Sequence, residues 1–192
     1  MSASPNQQLP NVIYATLVGL VDQAMVQRVF QGITVAVNGG ATSIHLLFHS
    51  NGGSVGDGVV LHNYLKSSPI DLHIYNGGAV SSIAVIAFLG ARQRYASANA
   101  TFMVHKTYAP SGLFNSAAAA NAARLRGIAQ GLEIDDARTL AILRSNLNLS
   151  EEKLEEHLVR EIPFDANSAL ESGLITAIRD FAPPAGCRLF NI

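Results

Sequence analysis

Two glycine pairs, two adjacent serines and a histidine closing an apolar run are the residues of this chain best suited to acyl-transfer chemistry. Gly52 and Gly53 lie in S-N-G-G-S-V-G-D-G, residues 50–58. Gly77 and Gly78 lie in Y-N-G-G-A-V-S-S-I, residues 75–83, and lead to Ser81 and Ser82. Paired glycines allow a sharp backbone turn without a Cβ clash. A serine just past such a turn, at a helix N-terminus, sits where backbone N–H groups and the helix dipole favour negative charge. That suits a nucleophile whose reaction creates an oxyanion. The plainer reading is a glycine turn with Ser81 or Ser82 as a helix N-cap. A glycine at 53 lets its N–H approach a ligand closely, and the N–H of Ser82 is a candidate second donor. Two backbone donors converging on one oxygen make an oxyanion hole. A phosphate cradle is the rival use of such turns. Neither matches G-x-x-x-x-G-K-[ST] or G-x-G-x-x-G, and no lysine follows either pair.

A serine nucleophile needs a base. His105 follows the mostly apolar run T-F-M-V, residues 101–104. His45, His49, His62 and His73 compete for the role. His45 and His73 fall in mid-strand, His62 on a helix face, and His49 also ends a strand. A catalytic histidine wants a carboxylate to fix its tautomer, and composition alone does not choose among 14 acidic residues. No H-x-x-x-H or C-x-x-C spacing indicates a metal site, and no cofactor is expected.

These residues must be held by regular elements. Strands are expected at residues 12–18, 44–49 and 70–75, alternating with helices after Asp22, near 59–65 and over 83–90. Alternation of this kind argues for an α/β fold with a mainly parallel sheet. The two glycine turns then open on the carboxyl edge of the sheet, where α/β sites lie. Further short strands are expected at 93–96 and 101–105. A long helix is expected over about 115–146, with Gly127 or Gly131 as a place to kink. Short helices follow, capped by Ser150 and Asp165, the latter over 166–172. A last strand is expected within 174–178 and an irregular tail over 180–192. Residues 1–11 read as a polar, mobile arm.

The chain of 192 residues is long enough for one domain with a sizeable core. Apolar residues make up 48% and charged residues 14%, which implies extensive burial and room for subunit interfaces. A formal net charge of -1 supplies no overall drive toward nucleic acid or an anionic membrane. One cysteine, Cys187, allows no internal disulfide and fits a reducing, cytoplasmic setting. The N-terminus lacks the basic and apolar regions of a signal peptide. Residues 72–91 carry no formal charge, but His73, Asn76, the glycines and the serines argue for strand, turn and core helix over a membrane span.

Four segments together resemble the Clp protease proteolytic subunit family, the self-compartmentalised serine peptidases of the ClpP/crotonase fold. I-H-L-L-F-H-S-N-G-G-S-V is similar to the family's strand and oxyanion turn. G-G-A-V-S-S is similar to its nucleophile turn, and G-A-R-Q-R-Y-A-S-A-N-A-T-F-M-V-H to the run ending in its histidine. A-N-S-A-L-E-S-G-L-I is similar to a late helix of the family. The resemblance covers roughly residues 12–178. It implies an α/β fold of repeated β-β-α spiral units in a single domain, with the long helix protruding as a handle that joins rings.

By the same resemblance, counted from Gly90 and Ala91, Ser81 rather than Ser82 is the implied nucleophile and His105 the implied base. Gly53 and Ser82 are the implied oxyanion donors. Glu161 occupies the acid position, with Asp165 as the alternative acid, and Arg160 matches an arginine used in ring contacts. Asn51 stands where the family has proline. The implied substrate is a peptide or unfolded polypeptide, and the implied assembly is a homo-oligomeric ring or stacked rings. An AAA+ unfoldase is the implied partner, but only eleven residues precede Val12, fewer than the family's docking segment, which counts against it. A catalytically silent ring subunit and an acyl-CoA-binding crotonase relative are the other readings of the same fold. A related signal-peptide peptidase would use a lysine base, but strand alternation turns Lys106 away from the side His105 faces.

Overall fold

A computed structural model describes residues 11–109 and 121–192. Strand β1, Val12–Val18, buries Ile13, Ala15 and Leu17, every second residue, as a half-buried strand should. Asp22 then caps helix α1, Gln23–Asn38, its carboxylate accepting the Met25 N–H at 2.8 Å. Met25, Val26, Val29, Ile33 and Ala36 form the helix's buried stripe. Strand β2, Ser43–Ser50, pairs with β1 in parallel. Helix α2, Val55–Ser67, starts inside the stretch expected to be loop, because the Ser54 side chain accepts from the Asp57 N–H and caps it.

Strand β3 departs most from expectation. It runs from Asp71 to Ser81, through both glycines, where a turn was expected after residue 75. Neither Gly77 nor Gly78 has a positive φ. The physical reason is a change of partner. β3 pairs with β4, Gln93–Ala96, over His73–Asn76, and then with β5, Thr101–Met103, over Ala79–Ser81. Asn76, fully buried, spans the change: its Nδ2 donates to the Thr101 carbonyl at 2.8 Å and its Oδ1 accepts the Gly78 N–H at 2.9 Å. Gly77 makes no turn here, and a Cβ there would stand 2.7 Å from Leu47 Cδ1, the movable end of a side chain. β2 answers with an irregularity between Phe48 and Ser50.

Helix α3, Ile83–Phe88, is buried at all six positions. Gly58 of α2 lets it approach, and a Cβ at 90 would stand 2.6 Å from the His62 carbonyl oxygen. The long helix α4, Ala122–Asn146, runs unbroken through Gly127 and Gly131, and residues 115–120 of the expected helix lie outside the described residues. Leu143 is its one buried residue, while Leu125 and Ile134 are exposed. Helices α5, Glu151–Arg160, and α6, Ala166–Glu171, carry the expected caps Ser150 and Asp165. Strand β6, Ala177–Ile178, is followed by β7, Leu189–Asn191, within the tail expected to be irregular.

The fold is mixed α/β. The sheet has the order β6-β4-β3-β2-β1-β7 with β5 added against β3, and every paired strand is parallel. Among the described residues, no helix is long and apolar enough to cross a membrane. The expected N-terminal arm lies almost wholly outside them.

Candidate active site

Ser82 is the junction between β3 and α3, with φ 58 and ψ -135. A non-glycine residue in the left-handed half of backbone space is strained by about 1–3 kcal/mol and persists only where its surroundings impose it. A serine on a sharp strand-to-helix turn has its hydroxyl lifted clear of the strand. Here the side chain is set over the first glycine pair. A Cβ built on Gly52 would lie 2.6 Å from Ser82 Cβ and 3.0 Å from its Oγ.

The glycine pair at 52 and 53 does need its lack of side chains. Gly52 has φ 107 and Gly53 φ 156. Val21 pins the turn: its N–H donates to the Gly52 carbonyl at 2.9 Å and its carbonyl accepts the Ser54 N–H at 2.8 Å. A Cβ on Gly53 would collide with the Val21 carbonyl. The Gly53 N–H makes no hydrogen bond among the described residues.

Gly53, Ser82 and His105 line one cleft of about 240 Å³, whose apolar wall includes Val55, Ile83, Ile86, Val104 and Leu143. Ser81 does not line it. Ser81 ends β3 opposite Met103 of β5. Of the two adjacent serines, the structure brings Ser82, not the expected Ser81, together with His105. The Ser82 N–H, expected as an oxyanion donor, donates to the Met103 carbonyl at 2.7 Å. The next N–H belongs to Ile83, the first residue of α3, and the first N–H groups of a helix have no intrahelical partner.

The His105 imidazole is held on two sides. Its Nδ1 is 2.6 Å from the Lys106 carbonyl oxygen. A carbonyl only accepts, so Nδ1 carries a proton, and in the neutral ring Nε2 keeps its lone pair. The Tyr108 ring stacks on the imidazole, with centroids 4.6 Å apart and planes 16° apart. The Lys106 Nζ pairs with Glu155 Oε1 at 2.6 Å.

The competing histidines are occupied elsewhere. His45 and His73 face each other across β2 and β3, their rings stacked at 4.4 Å, with Tyr14 against His45 and Tyr95 against His73. Burial, then His73 and Arg179, push His45 down to about 4. His62 is buried and its Nδ1 bonds the Ile86 carbonyl at 3.0 Å, and burial lowers its pKa. The Nδ1 of His49 accepts the Ala79 N–H at 3.4 Å.

Neither expected acid is hydrogen-bonded to His105 among the described residues. Glu161 is the exposed C-cap of α5, with φ 54. Asp165 caps α6 through the Ser168 N–H at 2.7 Å and accepts the Ser168 hydroxyl at 2.6 Å, which holds its carboxyl below the usual range. Arg160 is exposed and pairs with Glu156 along its own helix at 3.0 Å. A carboxylate that shares a hollow with His105 is one that no sequence signal singled out. Asp136 of α4 lines a hollow together with His105 and Lys106. Its Oδ1 accepts the Thr107 N–H at 2.7 Å.

A serine oxygen, an imidazole with a free Nε2 and backbone N–H groups around one partly apolar cleft are the parts of acyl transfer to a serine. Among solved structures, the ClpP1 N165D mutant from Listeria monocytogenes has a similar fold: the TM-score is 0.73 at 16% identity, over 89% of this chain and 92% of that one. At that identity the likeness concerns the fold alone. The sequence carries the rest: the Clp protease family model matches residues 5–181, and the chain therefore belongs to the Clp protease family.

Proposed function

We propose that this chain is a serine endopeptidase that cleaves peptides or unfolded polypeptides, with Ser82 as nucleophile and His105 as general base. Ser82 Oγ attacks the scissile carbonyl while His105 Nε2 takes its proton. The tetrahedral oxyanion rests on the N–H groups of Gly53 and Ile83. Collapse expels the amine, which takes the proton back from His105. A water activated by the same Nε2 then hydrolyses the acyl-enzyme. The apolar wall of Ile83, Ile86, Val104 and Leu143 favours substrates with an apolar side chain beside the cleaved bond.

The observation that carries this reading is the backbone of Ser82. A strained serine at a strand-to-helix turn, beside a cleft that also holds a histidine and a free backbone donor, is costly unless it is used. The count from Gly90 that selects Ser81 differs by a single residue, and a strand-ending serine paired to Met103 offers no such geometry.

Self-assembly is part of the proposal. Helix α4 buries only Leu143 and exposes Leu125 and Ile134. A helix of 25 residues with so little buried against its own chain suits a handle packed on other copies, closing a chamber around the cleft. Arg160, exposed on α5, is a candidate contact between subunits.

The test is hydrolysis of a fluorophore-labelled unfolded polypeptide by the wild type, Ser81→Ala and Ser82→Ala, each checked for folding by circular dichroism. Ser82→Ala is expected to lose roughly 10³-fold or more of the rate, and Ser81→Ala to stay within a few-fold. Loss in Ser81→Ala with retention in Ser82→Ala would overturn the assignment.

A further inference from the structure

The Lys106–Thr107 peptide group has an unusual position. Its carbonyl accepts the Nδ1 proton of His105 at 2.6 Å, and its N–H donates to Asp136 Oδ1 at 2.7 Å. One rigid, planar amide is therefore bonded by its oxygen to the imidazole and by its nitrogen to a carboxylate. A carboxylate on the N–H draws electron density toward the carbonyl oxygen, and hydrogen bonds linked in this way strengthen one another. Fixing the tautomer with Nδ1 protonated is a service that a triad acid gives.

We infer that Asp136 is the acid of the catalytic set and acts as a positioning residue, holding and polarising His105 through the Lys106–Thr107 peptide. The inference rests on the peptidase reading above and adds the member that reading lacks. Helix α4 thereby reaches the active site, so the helix proposed to join subunits is also the one that orients the base. The other charged groups lining this hollow, Lys106 and Glu155 of α5, are paired with each other. Glu161 and Asp165 make no hydrogen bond to His105, Lys106 or Thr107 among the described residues.

The test measures the rate of fluorophosphonate labelling for the full-length wild type, Asp136→Asn and Glu161→Gln. Asparagine keeps an oxygen for the Thr107 N–H and loses the charge. Asp136→Asn is expected to label roughly 10–100-fold more slowly at the optimum, the range for removing an outer partner of a functional histidine. The ¹H shift of the His105 Nδ1–H proton, which reports the strength of its bond to the Lys106 carbonyl, should move upfield in Asp136→Asn. Glu161→Gln is expected to match the wild type in both. A merely structural Asp136 would lower the melting temperature and leave that proton in place.

Histidine-selective ¹⁵N NMR of the wild type supplies a readout that needs no variant. Neutral His105 is expected as the Nδ1–H tautomer, and the Nε2–H tautomer would overturn the inference. So would wild-type labelling with an unmoved Nδ1–H proton in Asp136→Asn, or slowed labelling in Glu161→Gln, and in both cases the peptidase reading stands. A wild type that the probe does not label would instead remove the peptidase reading itself.

Discussion

Replacing Gly52 by alanine puts a methyl group where the structure leaves no room for one. The new Cβ would stand 2.6 Å from Ser82 Cβ, and two carbons pack at about 3.5–4.0 Å, so one of them must move by about 1 Å. Ser81 is no better a neighbour, since its carbonyl oxygen lies 3.2 Å from the same point. The turn cannot relax freely, because Val21 holds it through two backbone hydrogen bonds. Two costs add. At φ 107 a side chain is strained by about 1–3 kcal/mol. Overpacking adds about 1–3 kcal/mol. A total near 4 kcal/mol lowers Tm by about 8–16 °C in a chain of this size. The displacement of Ser82 has a separate effect, since a misplacement of ~1 Å costs about 100-fold in rate. Gly40→Ala is the control. Its φ is 84 and nothing lies within 4 Å of its Cβ, so it carries backbone strain of about 1–2 kcal/mol and no clash. The assay pairs thermal unfolding with the fluorophosphonate labelling rate for both variants. Gly52→Ala labelling at the rate of Gly40→Ala would refute the claim that the turn at 52 and 53 seats the serine.

Ser82→Gly removes the strain at φ 58 while removing the hydroxyl, so labelling should vanish while Tm rises by about 2–4 °C, and a fall in Tm would count against a strained serine. Arg94 donates to the carbonyls of Leu174, Ala91 and Gly173 at 2.8, 2.9 and 3.0 Å, so Arg94→Met should cost about 3–5 kcal/mol in a denaturant titration, and less than 1 kcal/mol would show the clamp to be idle. Burial holds His45 at about 4 in the fold against 6.5 when unfolded. The unfolded chain therefore binds the extra proton first, and stability should fall as pH drops from 6.5 toward 4. His45→Gln should flatten that slope in thermal melts, the neighbouring charges being His73, Asp71 and Arg179, and an unchanged slope would place the proton uptake elsewhere.

Much of the scaffold is readable from local chemistry. Asp22, Ser150 and Asp165 announce their helices because an N-cap acts within three residues, and the alternation of strands and helices announces a parallel sheet. His105, the turn at 52 and 53 and the serine pair are likewise legible as one neighbourhood. What escapes the sequence is set at long range. β3 continues through Gly77 and Gly78 because β5, some twenty residues on, offers a second edge, and nothing local in N-G-G-A distinguishes that from a turn. β7 is three residues long and owes its existence to pairing with β1. The choice between Ser81 and Ser82 depends on which one occupies the left-handed turn, a matter of one residue that counting from a distant glycine does not resolve. Asp136 is the clearest case. It lies on a mostly exposed helix and reaches the histidine through another residue's backbone, and no side-chain motif records such a link.

The central claim is that Ser82, not its neighbour, is the activated oxygen. Tandem mass spectrometry of the fluorophosphonate-treated protein tests it most directly, with Ser81→Ala and Ser82→Ala alongside. The account predicts one adduct, mapped to Ser82, present in Ser81→Ala and absent in Ser82→Ala. An adduct mapped to Ser81, or one that survives Ser82→Ala, would contradict it.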